Sequence, residues 1–470
     1  MSYEIEADYS QIFLLPPSIE DWVGSDDPAR FIRAFVDSLD LKDLGFKVSD
    51  KKEGRPAFSS SLLLKVWLYG CFDNIKSSRK LERQCKRDLA LIWLTGMNYP
   101  DHNTLWRFFA KHKEAIVNLF KKSVLVALNN DLIGMVYHAI DGTKIGANVS
   151  RYKGMNKAEM DVFAKRLEDY VESLTFQIEQ NSDTEPCAVL TTQLQDAKNL
   201  QEKVSQAVAD LRGKKNSKLN PVDVESRMMV NNRKGVDFSY NAQAAVDKKN
   251  DIIVGVQVSQ KETDHHLLNG MIDTVNENLG ENAKYTVADA GYFSADELEK
   301  LENSRMNTDV YVNIPKQYNS SKHKDCDHPY HLNNFTYDEK ADNYICPHRS
   351  LLTRYRKNGR YVVYKCSDFC DCPYKTQCTT SKKEKVITVH ENRMAIVQHV
   401  KKVQSTNAKK LLGIRASVVE KVFGHIKCSL GLRRIIGIGM DRAITSWNLV
   451  CTLNNLKKIY TAKGVNAFNT

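Results

Sequence analysis

Residues 237–314 constrain the fold more than any other stretch of this chain. DFSYNAQAAVDKKNDIIVGVQVS at 237–259 reads as two β-strands joined through Lys248-Lys249-Asn250-Asp251, a hairpin turn. Thr263 and Asp264 can cap a helix, HHLLNGMIDTVNENLG, that stops at Gly280. KYTVADAGYF is a short β-prone run ending at Asp289, Ser294 opens a helix over ADELEKLEN, and VYVNI at 310–314 is a further strand. Upstream, IGMVYHAIDGTKIGANV at 133–149 reads as a strand that ends near Asp141-Gly142 and then turns, with a hairpin as its continuation. This order of strands and helices belongs to an α/β fold: a mixed sheet with flanking helices.

The rest of the chain is arranged around that sheet. A length of 470 residues suggests about three domains. Residues 55–130 read as short helices with good caps at Ser77, Ser78 and Asp101, which fits either a helix-turn-helix-like DNA module or a plain helical bundle. Residues 156–180 and 187–213 are two long polar–apolar stretches separated by NSDTEP, a helical hairpin inserted after the first strand. From 315 to 380 periodicity disappears and Pro, Asn, His, Tyr and Cys dominate. Residues 394–430 read as mainly helical, and AITSWNLVCTLNNLKKI as a last helix with one apolar face. The expected units are an acidic segment 1–54, an all-α domain 55–130, and an α/β domain formed by 131–314 and 386–460. That domain carries a helical-hairpin insertion, 153–215, and a cysteine-rich insertion, 315–385; a tail, 461–470, follows.

Charge points to the partner. Residues 1–50 carry 4 Lys/Arg against 11 Asp/Glu, residues 51–130 carry 15 against 6, and residues 381–470 carry 17 against 4. Two basic segments in a chain of net charge +11 suggest a polyanion, because cations that neutralise phosphates release counterions. No run of eighteen apolar residues exists to span a membrane. The acidic start lacks the plan of a secretion signal, so the expected location is the cytoplasm.

Three acids stand out. Asp141 lies in AIDGTK and Asp289 in VADAGY, each after apolar residues and before a glycine. Carboxylates at the ends of adjacent strands can converge on one sheet edge, and such oxygen ligands suit Mg²⁺ or Mn²⁺. Glu420 lies on a helix in VVEKVFGHIK, with Phe423, Gly424 and Lys427 at spacings that share its side. Five cysteines, Cys346, Cys366, Cys370, Cys372 and Cys378, crowd one segment and are candidate ligands of a structural Zn²⁺. HKDCDHPYH offers His323, Cys326, His328 and His331 nearby. His265-His266 reads as structural.

Several blocks in order resemble the DDE transposases of bacterial insertion sequences: AIDGTKIGAN, FSYNAQAAVDKKNDIIVGVQVS, VADAGYFSADEL, and R-x4-E-x2-FG-x2-K from Arg415 to Lys427. Leu412 stands where the group often has an aromatic. The resemblance implies an RNase H-like catalytic domain in which Asp141, Asp289 and Glu420 hold two Mg²⁺ (or Mn²⁺) ions. It further implies that Lys427, Arg415 and Lys144 contact DNA phosphates, and that the protein cuts transposon ends and joins them to target DNA as a homodimer. Two rival readings keep the same acids: a hydrolytic DNA endonuclease of this fold, and a DNA-binding protein with an inactive site. A zinc-dependent hydrolase centred on 346–378 would need an open coordination position, which cysteine-rich sites usually lack.

Overall fold

The computed structural model describes residues 18–47, 57–180, 186–210, 217–230, 235–303, 307–315, 329–330, 332–381 and 384–468. Most of the acidic start, the NSDTEP turn apart from its proline, and the HKDCDHPYH run apart from Pro329 and Tyr330, with its His323, Cys326, His328 and His331, lie outside the described residues.

Six helices come first: α1 (Pro28–Asp37), α2 (Ser60–Phe72), α3 (Ser78–Gln84), α4 (Leu89–Thr95), α5 (His102–Lys111) and α6 (Lys113–Asn129). Their boundaries follow from capping chemistry. Asp27 accepts from Ala29 N at 2.7 Å with Pro28 at the first helical position, and Asp101 accepts from Asn103 N and Thr104 N, both at 2.9 Å. The stretch SSRKLERQCKRDLALIWL, which reads as one helix, is two: Asp88 breaks it and caps α4 by accepting from Leu91 N at 2.9 Å. Apolar all round, α2 is correspondingly buried, and Trp67 stacks on Phe109 of α5 at 4.8 Å.

The main sheet holds β1 (Tyr137–Gly146), β2 (Arg227–Val230), β3 (Val236–Asp247), β4 (Ile252–Ser259), β5 (Tyr285–Ala288) and β6 (Asp309–Val312). Its order is β4-β3-β1-β5-β6, with β2 continuing the outer edge of β3. Antiparallel pairing joins β1 to β3 and β3 to β4, whereas β5 runs parallel to β1 and β6 parallel to β5. It is a mixed sheet, as the alternation of elements predicts. One expectation fails: β1 does not end at Asp141. It runs straight on to Gly146, because β3 supplies ladder partners as far as Ser239. Pairing with β5 is what stops, at Ile140–Ala288.

Between β1 and β2 stand α7 (Lys157–Gln180) and α8 (Pro186–Asp210), packed against each other. Met160, Leu167 and Leu174 recur every seven residues and meet Ala197 and Val204 in a small core of their own, a coiled-coil seam. After β4 come α9 (Leu268–Leu279), which ends on Gly280 at φ +81°, and α10 (Ala295–Asn303).

Residues 336–390 are more ordered than their sequence suggests. They form a five-stranded antiparallel sheet: β7 (Thr336–Asp338), β8 (Asn343–Ile345), β9 (Leu351–Asn358), β10 (Tyr361–Cys366) and β11 (Val386–His390), with one helical turn α11 (Lys375–Cys378). Here β9 is exposed at nearly every position, so no apolar alternation announces it. This sheet has its own core around Tyr344, Leu352, Tyr364 and Ile387.

The chain then returns to the main sheet through α12 (Arg393–Val403), α13 (Thr406–Gly424), a π-helical turn His425–Ser429, and α14 (Met440–Lys463). Expected to bury one face, α14 is buried all round from Thr445 to Leu456. Two of its polar side chains bond to the sheet, while Thr445, Ser446, Asn448 and Thr452 donate to carbonyls of the helix itself. Asn455 donates to Ile253 O and accepts from Ile253 N, both at 2.8 Å, and Trp447 Nε1 donates to Gln243 O at 2.8 Å. Packing of α14 against α6 makes one continuous core of the N-terminal helices and the main sheet.

Candidate acid site at the β1–β5 junction

Parallel pairing of β1 and β5 places Ile140 opposite Ala288, so the next residue on each strand is an aspartate: Asp141 and Asp289. Asp141 is 20% exposed at its side chain and Asp289 47%. Arg415, from the face of α13 that packs on the sheet, reaches both. Its Nη1 donates to Asp141 Oδ2 at 2.7 Å, and its Nη2 stands 3.8 Å from Asp289 Oδ1. Burial pushes the Asp141 carboxyl above the usual range, Arg415 and the Gly142 N–H oppose that, and the neighbouring Asp289 charge adds to it. Burial alone would make the Arg415 guanidinium easier to deprotonate; the two aspartates outweigh it and hold the charge more firmly.

The site rests on a third aspartate that sequence reasoning placed elsewhere. Asp264 does not cap α9, which begins at Leu268 without a side-chain cap. It turns back under the sheet. Its Oδ1 accepts from Asn241 Nδ2 at 2.7 Å and Gln243 Nε2 at 2.8 Å, with Lys144 Nζ at 3.6 Å. Gln243 in turn accepts from the buried Tyr292 hydroxyl. A Cβ added at Gly142 would meet Gln243 Nε2 at 2.4 Å and Asp264 Oδ1 at 2.7 Å, and one at Gly291 would meet Asp264 Oδ2 at 3.2 Å. One carboxylate therefore lies beneath the glycines that follow both acids. That is why a glycine stands one residue after Asp141 and two after Asp289. The sequence carried a signal for this: Asn241 and Gln243 are amides two apart in an otherwise apolar buried strand, so they share a face and need polar partners.

Glu420 is not gathered in. It sits five residues beyond Arg415 on α13, exposed, and among the described residues it has no hydrogen bond or ion pair. Lys427 does not continue its helix face, because the helix changes to a π-turn at His425. Burial lowers the Lys427 ammonium below its ordinary value, and Arg433 and Lys144 lower it further by repulsion, so these three cations face one another. Lys144 is lowered by burial against the pull of Asp264. Among the described residues no group of three or more His, Cys, Asp or Glu side chains stands close enough to hold a metal ion. The aspartate pair nonetheless offers the hard oxygen donors that a divalent cation prefers.

In the second sheet, Cys346, Cys366, Cys372 and Cys378 line a cavity of about 20 Å³, whereas Cys370 is exposed and does not line it. Burial raises the Cys366 and Cys378 thiols, and the neighbouring Cys346 and Cys372 add to that. His265 and His266 belong to no ligand group, and His266 has φ +62°.

Comparison with known families gives two matches. Residues 17–111 match a family described as Transposase domain (DUF772), and residues 344–460 match one described as Transposase DDE domain. The first spans α1 to α5. The second includes Arg415, Glu420, Lys427 and the five clustered cysteines, but neither Asp141 nor Asp289. No curated protein matches the chain. Among the described residues no helix is long and apolar enough to cross a membrane.

Proposed function

We infer that this chain, a DDE transposase of the insertion-sequence type by its two family matches, cuts DNA at transposon ends and joins the freed ends to target DNA from the Asp141–Asp289 site. The observation that carries the reading is the pairing of β1 with β5, which sets two carboxylates side by side at one sheet edge. The strand order β4-β3-β1-β5-β6, with antiparallel β4-β3-β1 and parallel β1-β5-β6, supports an RNase H-like catalytic domain.

Asp141 and Asp289 would hold a divalent cation, with Glu420 as the third carboxylate once DNA is seated. When bound, Mg²⁺ or Mn²⁺ would supply Lewis acidity to the attacking and leaving oxygens of a phosphodiester. In the first step a water oxygen bonds to phosphorus, the P–O3′ bond breaks and the 3′-oxygen takes up a proton. In the second that 3′-hydroxyl oxygen bonds to a target phosphorus, the target P–O3′ bond breaks, and the departing 3′-oxygen takes up the hydroxyl proton. No protein side chain becomes bonded to DNA. Arg415 donates to Asp141 and stands beside Asp289, so its first duty is to the carboxylates and not to phosphate. Lys144 and Lys427 present cations beside the acids, where phosphate charge would be neutralised. A homodimer fits the need to hold two ends together. Of the five clustered cysteines, Cys346, Cys366, Cys372 and Cys378 line one cavity and would be the ligands of a structural Zn²⁺, drawing closer together than they stand here.

The test is cleavage of labelled DNA carrying the element's ends, wild type beside Asp289→Asn, in Mg²⁺ and in EDTA. The reading expects Mg²⁺-dependent cutting and joined products, both absent from the variant. Cutting without joining would leave a hydrolytic nuclease. Binding without cutting by the wild type would leave a DNA-binding protein with an inactive site.

A further inference from the structure

A cleft of about 860 Å³ opens between the N-terminal helices and the loop after the π-turn. One wall is the α2–α3 connection and the start of α3, with Lys76, Arg79 and Lys80. The other carries Arg434 and Arg442, and Trp106 of α5 stands between them. Among the described residues, five cations line this cleft and no aspartate or glutamate does. Arg79 and Lys80 are exposed, as are Arg83, Lys86 and Arg87 beyond them, and among the described residues none of these five has an ion pair. Unpaired like charges on one surface repel one another, an arrangement that a polyanion relieves.

Both walls are fixed. Lys76 Nζ donates to Leu430 O and to Asn74 Oδ1, and Gly431, at φ +62°, lies so close to Asn74 that an added Cβ would overlap the amide. The far wall is laced to β1: Gly146 N donates to Arg433 O at 3.0 Å and Ile435 N to Gly146 O at 2.9 Å. Arg434 is anchored on Ala147 O and Asp237, and Arg442 lies over the Trp106 ring, 5.3 Å from its centroid.

The cleft leads to the acids. From Asp141 to Gly146 is five residues of strand, about 16 Å, and Lys144, Lys427 and Arg433 occupy that interval within electrostatic reach of one another. Lys144, Lys427 and Arg433 thus continue the cations of the cleft toward the acids, with Asp264 beside Lys144 and Asp237 paired to Arg434.

We propose that this cleft seats the sugar-phosphate backbone of duplex DNA next to the scissile bond, with Arg79 and Lys80 on phosphates and Trp106 at the cleft wall. The N-terminal helices and the post-π-turn loop then grip one duplex jointly, and the continuous core between them fixes their spacing. The proposal rests on the transposase reading for what happens at the acids. The binding it describes needs no metal.

The experiment is anisotropy of a labelled duplex of about 30 base pairs in EDTA over a salt series, using the full chain. Arg79→Ala/Lys80→Ala should weaken binding about tenfold and reduce the slope of log K against log salt by about 2, since each lost phosphate contact removes about 0.9. Lys121→Ala/Lys122→Ala, on α6, should leave both unchanged. Titration with DNA should alter tryptophan emission in the wild type and much less in Trp106→Phe, a readout that a general loss of charge would not move. An unaltered slope and affinity in the Arg79/Lys80 variant, or no duplex binding by the wild type, overturns the proposal. Intact cutting by Asp289→Asn, with binding still lost in the Arg79/Lys80 variant, would sink the catalytic reading and leave the cleft standing.

Discussion

Arg415 and Asp141 lie 274 residues apart in the chain, and Arg415 Nη1 donates to Asp141 Oδ2 at 2.7 Å. That contact joins a late helix to the central strand and draws Asp289 into the same charge cluster. Replacing Arg415 by Ala leaves a largely buried carboxylate facing a second one. We expect a loss of about 1–3 kcal/mol in metal-free buffer. Adding Asp141→Asn should recover part of it, so the double variant costs less than the two singles summed. Additive losses in thermal or denaturant unfolding would show that the pair is uncoupled.

The glycines after the acids give a graded prediction. Gly142→Ala places a methyl 2.4 Å from Gln243 Nε2 and 2.7 Å from Asp264 Oδ1, whereas Gly291→Ala meets Asp264 Oδ2 at 3.2 Å. Gly142→Ala should cost about 1–3 kcal/mol and disable cutting, while Gly291→Ala costs less. Equal tolerance of both would mean that Asp264 does not lie beneath the two glycines as described.

How much of this was legible in the sequence depends on whether the signal was local. Strand, hairpin and helix order in 237–314 could be read because apolar period and turn residues are local, and the aspartates were found because each follows an apolar run and precedes a glycine. The partner of Asp264 could not be read from its own surroundings; the only signal lay far off, in the two amides of β3. Its side chain chose two amides on β3 over the backbone N–H groups just ahead of it, a choice set by packing. The extension of β1 past Asp141 was hidden for a related reason: ladder partners on β3 hold Gly142 through Gly146 in a strand that Gly and Lys do not favour. Strand β9 was missed because LLTRYRKN shows water both of its faces.

Buried histidines set an acid limit on stability. His112 accepts from Lys47 N at its Nε2 (3.1 Å) while its Nδ1 bonds Phe108 O, which requires the neutral ring. Burial lowers His112, His399 and His425 below the ordinary value of 6.5. With folded-state values depressed, their stabilising effect is complete above the unfolded value and is lost as pH falls below it. Unfolding midpoints should therefore drop as pH falls below 6.5, and His112→Gln should flatten that drop. A midpoint independent of pH across this window would contradict the assignment.

The cysteine segment gives a test by composition. Purified protein should carry about one zinc ion per chain, lost in Cys378→Ser and retained in Cys370→Ser, because Cys370 lies outside the cavity that the other four line. Metal analysis showing no zinc in the wild type, or equal loss in both variants, would refute a four-thiol site.

The most direct test of the central claim is Mn²⁺ binding followed by electron paramagnetic resonance, with and without duplex DNA. Wild type should bind Mn²⁺, and Asp141→Asn and Asp289→Asn should each bind it at least tenfold more weakly. Glu420→Gln should show its loss mainly when DNA is present, since Glu420 stands apart from the aspartates without it. Wild-type affinity in both aspartate variants would contradict a cation site at the β1–β5 junction.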